Sequence, residues 1–417
     1  MYQKRKYKHF ILLCLVLDLL TMVFLGYRYL DRKIPDEIHI DKNSGLDLSQ
    51  ISNLPFVSFG DTITTSGEGS YQLPCRLFGK IAFKNIKVKP TEADTILVSG
   101  STVGIYMETD GVLVIDTGEI LSKNGQMQDP AKNILKPGDY IVALNEQIIS
   151  CKQDLINDLE TIDGKPVTVS VRRNNSTIPV SLSPAQDASG KYKLGIWVRD
   201  DTQGIGTLTY VDQNGNYGAL GHGISDVDTA QLLDIRNGAL YKAQVLAVTK
   251  GSKGSPGELA GFIRYVNKNI LGDIEQNSKN GIYGQFYKGV EDGITLKKMP
   301  VAHKQEIQTG EASILCCVDG QVKEYTAQIK RIDLNHEDTN KSFVIQITDE
   351  KLMELTGGVV QGMSGSPVLQ NGKIIGAVTH VFVQDSTSGY GIFIENMLEN
   401  TRKHCEKPML SYNRIAH

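Results

Sequence analysis

The sequence predicts a mainly β protein carried on one N-terminal membrane-crossing helix, and three observations support this. Residues Phe10 to Gly26 form one long apolar run, FILLCLVLDLLTMVFLG. From about Leu194 to Ile394 no helical period is sustained. Short alternating segments recur there instead (GIWVR, GTLTYV, YGALGH, QVLAVT, SILCCV, SFVIQIT, GKIIGAVTHVFV), parted by Gly, Asn and Asp turns. A chain of 417 residues with 40% apolar content has room for two or three cores. Its net charge is −3 and no Lys/Arg face is interleaved with aromatics, so nucleic acid is not an expected partner.

The apolar run follows Lys4, Arg5, Lys6 and Lys8 and is just long enough to cross a thin hydrocarbon core as a helix. It reads as a signal anchor over a cleaved signal peptide, because Tyr27, Arg28, Tyr29 and Leu30 follow where a small-residue cleavage site belongs. Basic residues lie on both flanks, more densely before the run, which favours an extracytoplasmic body. Asp18 inside the run is either a snorkelling or protonated residue or a polar contact with another membrane helix. Residues 1–33 are therefore the anchor. Residues 34–93 are expected as a tether and short strand-rich region. Pro35, Asp36, Asp41, Asn43, Ser44 and Gly45 suit an irregular, cleavable tether over 34–54. The alternation from Tyr71 to Lys89 predicts two short strands broken at Gly79.

Three features mark residues 94–185. They are the run Gly100-Ser101-Thr102-Val103-Gly104-Ile105, the segment ILKPGDYIVALN from Ile134 to Asn145, and an amphipathic helix around Lys152 to Ile162 with Leu155, Ile156 and Leu159 on one side. Together they resemble a PDZ domain. The first is similar to the apolar-Gly-apolar loop whose N–H groups receive a peptide carboxylate, and the second to a strand opening seen in PDZ modules of bacterial proteases. The resemblance implies a module that adds a peptide strand to an exposed sheet edge, with Val103, Gly104 and Ile105 as its peptide-binding loop. By residues alone, the same triplet is a glycine turn opening a strand.

Six cysteines (Cys14, Cys75, Cys151, Cys316, Cys317 and Cys405) show neither a disulfide framework nor zinc-site spacing. Cys316 and Cys317 fall in a strand-like stretch and should point to opposite faces. No HExxH or CxxC occurs, so no metal-dependent mechanism and no cofactor is expected.

Chemistry concentrates in Gly362-Met363-Ser364-Gly365-Ser366-Pro367. A Gly-x-Ser-Gly turn aims one hydroxyl outward while the N–H groups of Gly362 and Ser364 converge on a developing oxyanion. Ser364 holds the central position and Ser366 competes with it. Of eight histidines, His222 lies upstream between Gly221 and Gly223 and is the favoured general base. His380 is the alternative, because Asn371-Gly372 predicts a hairpin that returns it toward Ser364. Base before nucleophile is the chain order of chymotrypsin-like enzymes, so 186–417 is expected to be a chymotrypsin-like double β-barrel serine peptidase domain. Asp349 is a candidate orienting carboxylate, yet Thr348-Asp349 also reads as the N-cap of a short helix ending at Gly357. Asp226, Asp228, Asp234 and Asp273 compete for the role.

The anchor, the PDZ-like module, GHGISD (Gly221 to Asp226), GSKGSPGE (Gly251 to Glu258) and VVQGMSGSP (Val359 to Pro367) together resemble the stage IV sporulation protein B family of serine peptidases. This resemblance covers nearly the whole chain. It implies a sporulation signalling peptidase made in the forespore and acting in the space between forespore and mother-cell membranes. Its implied protein substrates are itself and a regulator of a membrane-embedded protease complex, whose release leads to activation of a late mother-cell sigma factor. By motif, the resemblance makes His222 and Ser364 the base and nucleophile. It puts Asp349 and Thr379 at positions important in the family, with Thr379 supporting the site or the substrate backbone. The rival class is a non-catalytic, membrane-anchored PDZ scaffold with a degenerate barrel. A periplasmic heat-shock protease would instead place its PDZ after the barrel.

Overall fold

The computed structural model describes residues 2–41, 54, 56–60, 63–64, 71–91, 95–336 and 338–405. Its first element is the helix Tyr2–Lys33, of which Tyr7–Lys33 is long and apolar enough, by length and composition, to cross a membrane. The helix ends against the body. Ile34 and Ile38 are buried with Leu73, Ile86 and Val88, and Glu37–Asp41 pairs in parallel with Ile81–Thr91. This strand belongs to a five-stranded sheet with Val57–Phe59, Ile63–Thr64 and Tyr71–Leu77. The irregular tether expected from residue 34 is thus corrected over 34–41: the alternation in Glu37-Ile38-His39-Ile40 drives a strand whose apolar side reaches a core. Residues 42–53 lie outside the described residues. The two strands expected around Gly79 are present as Tyr71–Leu77 and Ile81–Thr91.

Twelve strands form two barrels. The first uses β1 (Thr102–Thr117), β2 (Ile196–Val211), β3 (Asn216–Ala219), β4 (Ile235–Thr249), β5 (Ile270–Asp273) and β6 (Gly281–Gln285). The ring runs β1–β2–β3–β6–β5–β4 and returns to β1, the β6–β5 step being a bridge between Gly272 and Phe286. Val103, Ile105, Met107, Leu208, Tyr217 and Leu240 are among the residues of its core.

The second barrel is closed in the order β7 (Gly310–Cys317), β8 (Val322–Ile332), β9 (Phe343–Ile347), β12 (Asp385–Phe393), β11 (Lys373–Phe382), β10 (Pro367–Gln370). Cys316 points into it and is buried, while Cys317 is only partly so. The Asn371-Gly372 turn between β10 and β11 has φ of 52° and 75°, the left-handed pair that a two-residue hairpin demands.

The PDZ-like module is inserted into the first barrel. β1 and β2 are 16 residues long each, and their inner halves belong to the barrel. Their outer halves continue into a second sheet, where Val112 and Leu113 pair with Tyr140–Leu144, followed by Val167–Arg173 and Ser176–Leu182. That sheet and the helix Lys152–Thr161 share a separate core including Val112, Ile141, Leu155, Val169 and Leu182. The expected span 94–185 therefore takes in the barrel half of β1 and leaves all of β2, including its module half, to the expected peptidase domain.

It follows that Val103-Gly104-Ile105 is not a peptide-binding loop. Gly104 pairs with Ile205 on one flank and Tyr241 on the other, so this stretch is interior to the barrel sheet and has no open edge for a peptide.

Candidate active site

The Gly362-Met363-Ser364-Gly365 turn is gripped by both barrels. Gly362 and Gly365 have φ of 97° and 93°, which glycine adopts without strain. A Cβ on Gly365 would lie 2.2 Å from the Thr207 carbonyl oxygen and 2.5 Å from the Leu220 nitrogen, so the turn presses on the first barrel two residues before His222. β2 holds it there. The Thr207 amide donates to the Ser364 carbonyl (3.0 Å), the Thr207 hydroxyl to the Gly362 carbonyl (2.9 Å) and the Thr209 hydroxyl to the Gly365 carbonyl (2.8 Å). These bonds fix the carbonyls, and among the described residues no acceptor is assigned to the Gly362 and Ser364 amides, the state an oxyanion site requires. Met363 between them is fully buried in the second-barrel core. Ser366 is fully buried too, which removes it as a competing nucleophile.

His222 leaves the end of β3 through two left-handed residues, Leu220 and Gly221, at φ 68° and 70°. Gly223 on its other side has no room for a side chain, since a Cβ would sit 2.4 Å from the Ser278 carbonyl oxygen. The ring's Nδ1 lies 2.9 Å from the Gly223 carbonyl, and donation to it leaves Nε2 as the lone-pair nitrogen. Burial lowers the pKa of His222 below its ordinary 6.5, opposed by that hydrogen bond. His380 on β11 lies against it, with ring centroids 4.7 Å apart. Burial above all, then the charges of His222 and Lys341, take the His380 pKa down to about 4.

The Ser364 hydroxyl donates to the Thr379 carbonyl at 2.8 Å, so at rest it is turned to the β11 backbone and not to an imidazole. Thr379 is buried and its own hydroxyl donates to the Asn340 carbonyl at 2.7 Å. Ser364, His222, Thr379 and His380 line one cleft of about 460 Å³, with Ile105, Ile205, Leu220 and Val360 as part of its apolar wall. Such a wall limits water at the reacting atoms.

Asp349 does not orient the imidazole. It caps the helix Glu350–Thr356, accepting from the Lys351 and Leu352 amides at 3.0 and 3.1 Å, while its other oxygen accepts from the Thr326 amide at 3.3 Å. Both of its oxygens accept from backbone amides, and among the described residues no hydrogen bond joins it to His222. Asp226 is buried in an ion pair with Arg199, which Asp228 shares, and Asp234 faces Arg172 at 3.6 Å. Asp273 accepts from the Tyr287 hydroxyl. The orienting contact to His222 is instead the Gly223 carbonyl, which a search for acidic residues could not find.

A second concavity, about 680 Å³, lies between the helix Lys152–Thr161 and the outer half of β2. Leu155, Ile156, Leu159, Leu194, Ile196 and Trp197 line it. Here Leu194-Gly195-Ile196 supplies an apolar-Gly-apolar segment, with Gly195 at φ 69°. The pattern was readable in the sequence, but at a place where a loop after the helix was not expected.

The profile of the family described as SpoIVB peptidase S55 matches residues 190–398, half of the chain. The chain belongs to the SpoIVB peptidase S55 family. As a member of that family it is a serine peptidase, and the matched range contains His222, Ser364, Thr379 and His380. β1 lies before the range, so the first barrel of this SpoIVB-type peptidase draws one strand from outside it. Two curated relatives from strains of Xylella fastidiosa, each named "Putative zinc metalloprotease", are 29% identical over 92 residues, 22% of this chain. The chain spans a fifth of the length of those relatives. Among solved structures, the PDZ domain of an SdrC-like protein from Listeria innocua is 25% identical, with 22% of this chain and 94% of that chain covered at a TM-score of 0.19. The Rv3671c protease from M. tuberculosis in its active form is 14% identical, covering 51% and 78% at a TM-score of 0.25. The HtrA-type protease AlgW with decapeptide is 13% identical, covering 50% and 55% at a TM-score of 0.28.

Proposed function

We propose that this chain is a membrane-anchored serine endopeptidase of sporulation signalling. It cleaves itself and then a regulator of a membrane-embedded protease complex, leading to activation of a late mother-cell sigma factor. One observation carries the peptidase chemistry: the Ser364 hydroxyl and the His222 imidazole, from different barrels, line the same cleft. In the reaction, Ser364 Oγ leaves the Thr379 carbonyl and attacks the scissile carbonyl while His222 Nε2 takes its proton. The Gly362 and Ser364 amides hold the oxyanion, the imidazolium protonates the departing amine, and water hydrolyses the acyl-enzyme.

Family membership supports the sporulation role and the location between forespore and mother-cell membranes, and the helix Tyr7–Lys33 supports the anchor. The groove beside Leu194-Gly195-Ile196 suits an extended peptide added to β2, which pairs with β1 on its other flank.

Self-cleavage is expected beyond Asp41, because Glu37–Asp41 is held in a sheet. Expression of the wild type should give shortened forms with new N-termini within 42–53, and Ser364→Ala should give only the full-length band. Shortened forms of the same N-terminus from Ser364→Ala would rule out self-processing.

A further inference from the structure

Three side chains from distant parts of the chain meet around one carboxylate, away from the cleft. Glu395 stands in the first turn of the helix Ile394–Cys405, immediately after β12. His303 precedes the short turn Lys304–Glu306, and His39 lies in the strand Glu37–Asp41 that follows the membrane helix. The His303 Nδ1 is 2.8 Å and the His39 Nδ1 3.1 Å from the same atom, Glu395 Oε1. One donor atom from each residue lies within 4.8 Å of the other two.

His39 cannot satisfy both of its neighbours as a neutral ring. Its Nε2 is 3.2 Å from Glu37 Oε1 while its Nδ1 faces Glu395, and a neutral imidazole has one N–H. When Nε2 donates to Glu37, a lone pair on Nδ1 confronts a carboxylate oxygen, a repulsion that a cation bound to both removes. An imidazole that binds metal through one nitrogen and donates to a carboxylate through the other is the arrangement that orients histidine ligands of zinc. Two imidazoles and a carboxylate form a donor set for zinc-type divalent ions. A further polar group stands beside it: Gln305 donates to the His39 carbonyl, while its own Oε1 is buried without a partner among the described residues.

We propose that His39, His303 and Glu395 bind a divalent transition metal of the zinc type, which clips the membrane-proximal strand to the second barrel. The site is structural and stands apart from Ser364 chemistry. His39 and Glu395 are 356 positions apart in the chain, so no spacing motif announces it.

The test uses full-length protein in detergent, stripped with a chelator and titrated with Co²⁺ and then Zn²⁺. One equivalent of cobalt should give the visible absorption of a four-coordinate nitrogen–oxygen site, lost on adding zinc, and zinc should raise the thermal midpoint. Glu395→Gln and His303→Ala should each lose that equivalent and the midpoint shift. His39→Ala, which trims a ring on the membrane-proximal strand, provides the same reading should either barrel variant fail to fold. No cobalt absorption in the wild type, or an undiminished equivalent in His39→Ala, would overturn the site. So would a wild type stabilised only by acidification, which would mark His39 as an imidazolium held between two carboxylates.

Discussion

His222 donates its Nδ1 proton to the Gly223 carbonyl, so in the proposed reaction the imidazolium formed when Nε2 takes the Ser364 proton has a backbone dipole beside it and not a carboxylate. Burial disfavours that charged ring further. The base is then competent only when neutral, and its folded pKa lies below 6.5. Activity should persist as pH falls through 6.5 and be lost only on passing the depressed value. A kcat/KM profile whose acidic limb has its midpoint below 6.5 is expected, and a limb at or above 6.5 would contradict this account of the site. Gly221, Gly223 and Gly365 matter at the same scale. Each sits where a Cβ would strike backbone or side chain, which is why the glycine-flanked histidine and the Gly-x-Ser-Gly turn stood out in the sequence. The resting bond from Ser364 to the Thr379 carbonyl was not readable, because a main-chain acceptor leaves no trace in residue type.

Among the elements, the helix Glu350–Thr356 shows why one residue supported two readings. Its start at Asp349 and its left-handed end at Gly357 follow from local chemistry, and the structure has both. Whether a carboxylate also reaches an imidazole depends on tertiary placement. As a cap, Asp349 should be replaceable by Asn or Ser with activity retained, whereas Asp349→Ala should cost about 1 kcal/mol of stability. Measured by chemical denaturation and turnover, an Asn variant that stays folded but loses activity by orders of magnitude would restore the orienting role. The PDZ-like groove obeys the same logic: its helix and its Pro-Gly-Asp turn are legible, but the apolar-Gly-apolar pattern of Val103-Gly104-Ile105 could not show that this stretch is paired on both flanks inside the barrel. Ile156, exposed on the groove wall, should be specific to the proposed peptide capture. Ile156→Glu should weaken binding of an apolar C-terminal peptide roughly tenfold or more while Ser364 remains reactive, and unchanged binding would remove the groove from the proposed function.

Across the whole molecule, strand rhythm and turn chemistry disclosed the double barrel, since alternation and glycine punctuation are local. The insertion of the PDZ-like module, the closure of the first barrel through Gly272 and Phe286, and the meeting of His39 with Glu395 are long-range pairings that periodicity cannot encode. The proposed active site is itself such a pairing, made where the Gly365 turn of the second barrel lands on Leu220 of the first. Reaction of the full-length protein with a fluorophosphonate, with the adduct located by mass spectrometry, tests it most directly. A single adduct on Ser364 is expected, abolished in Ser364→Ala and slowed by roughly three orders of magnitude or more in His222→Ala. An adduct that forms at the wild-type rate in His222→Ala, or that is located on another serine, would contradict it.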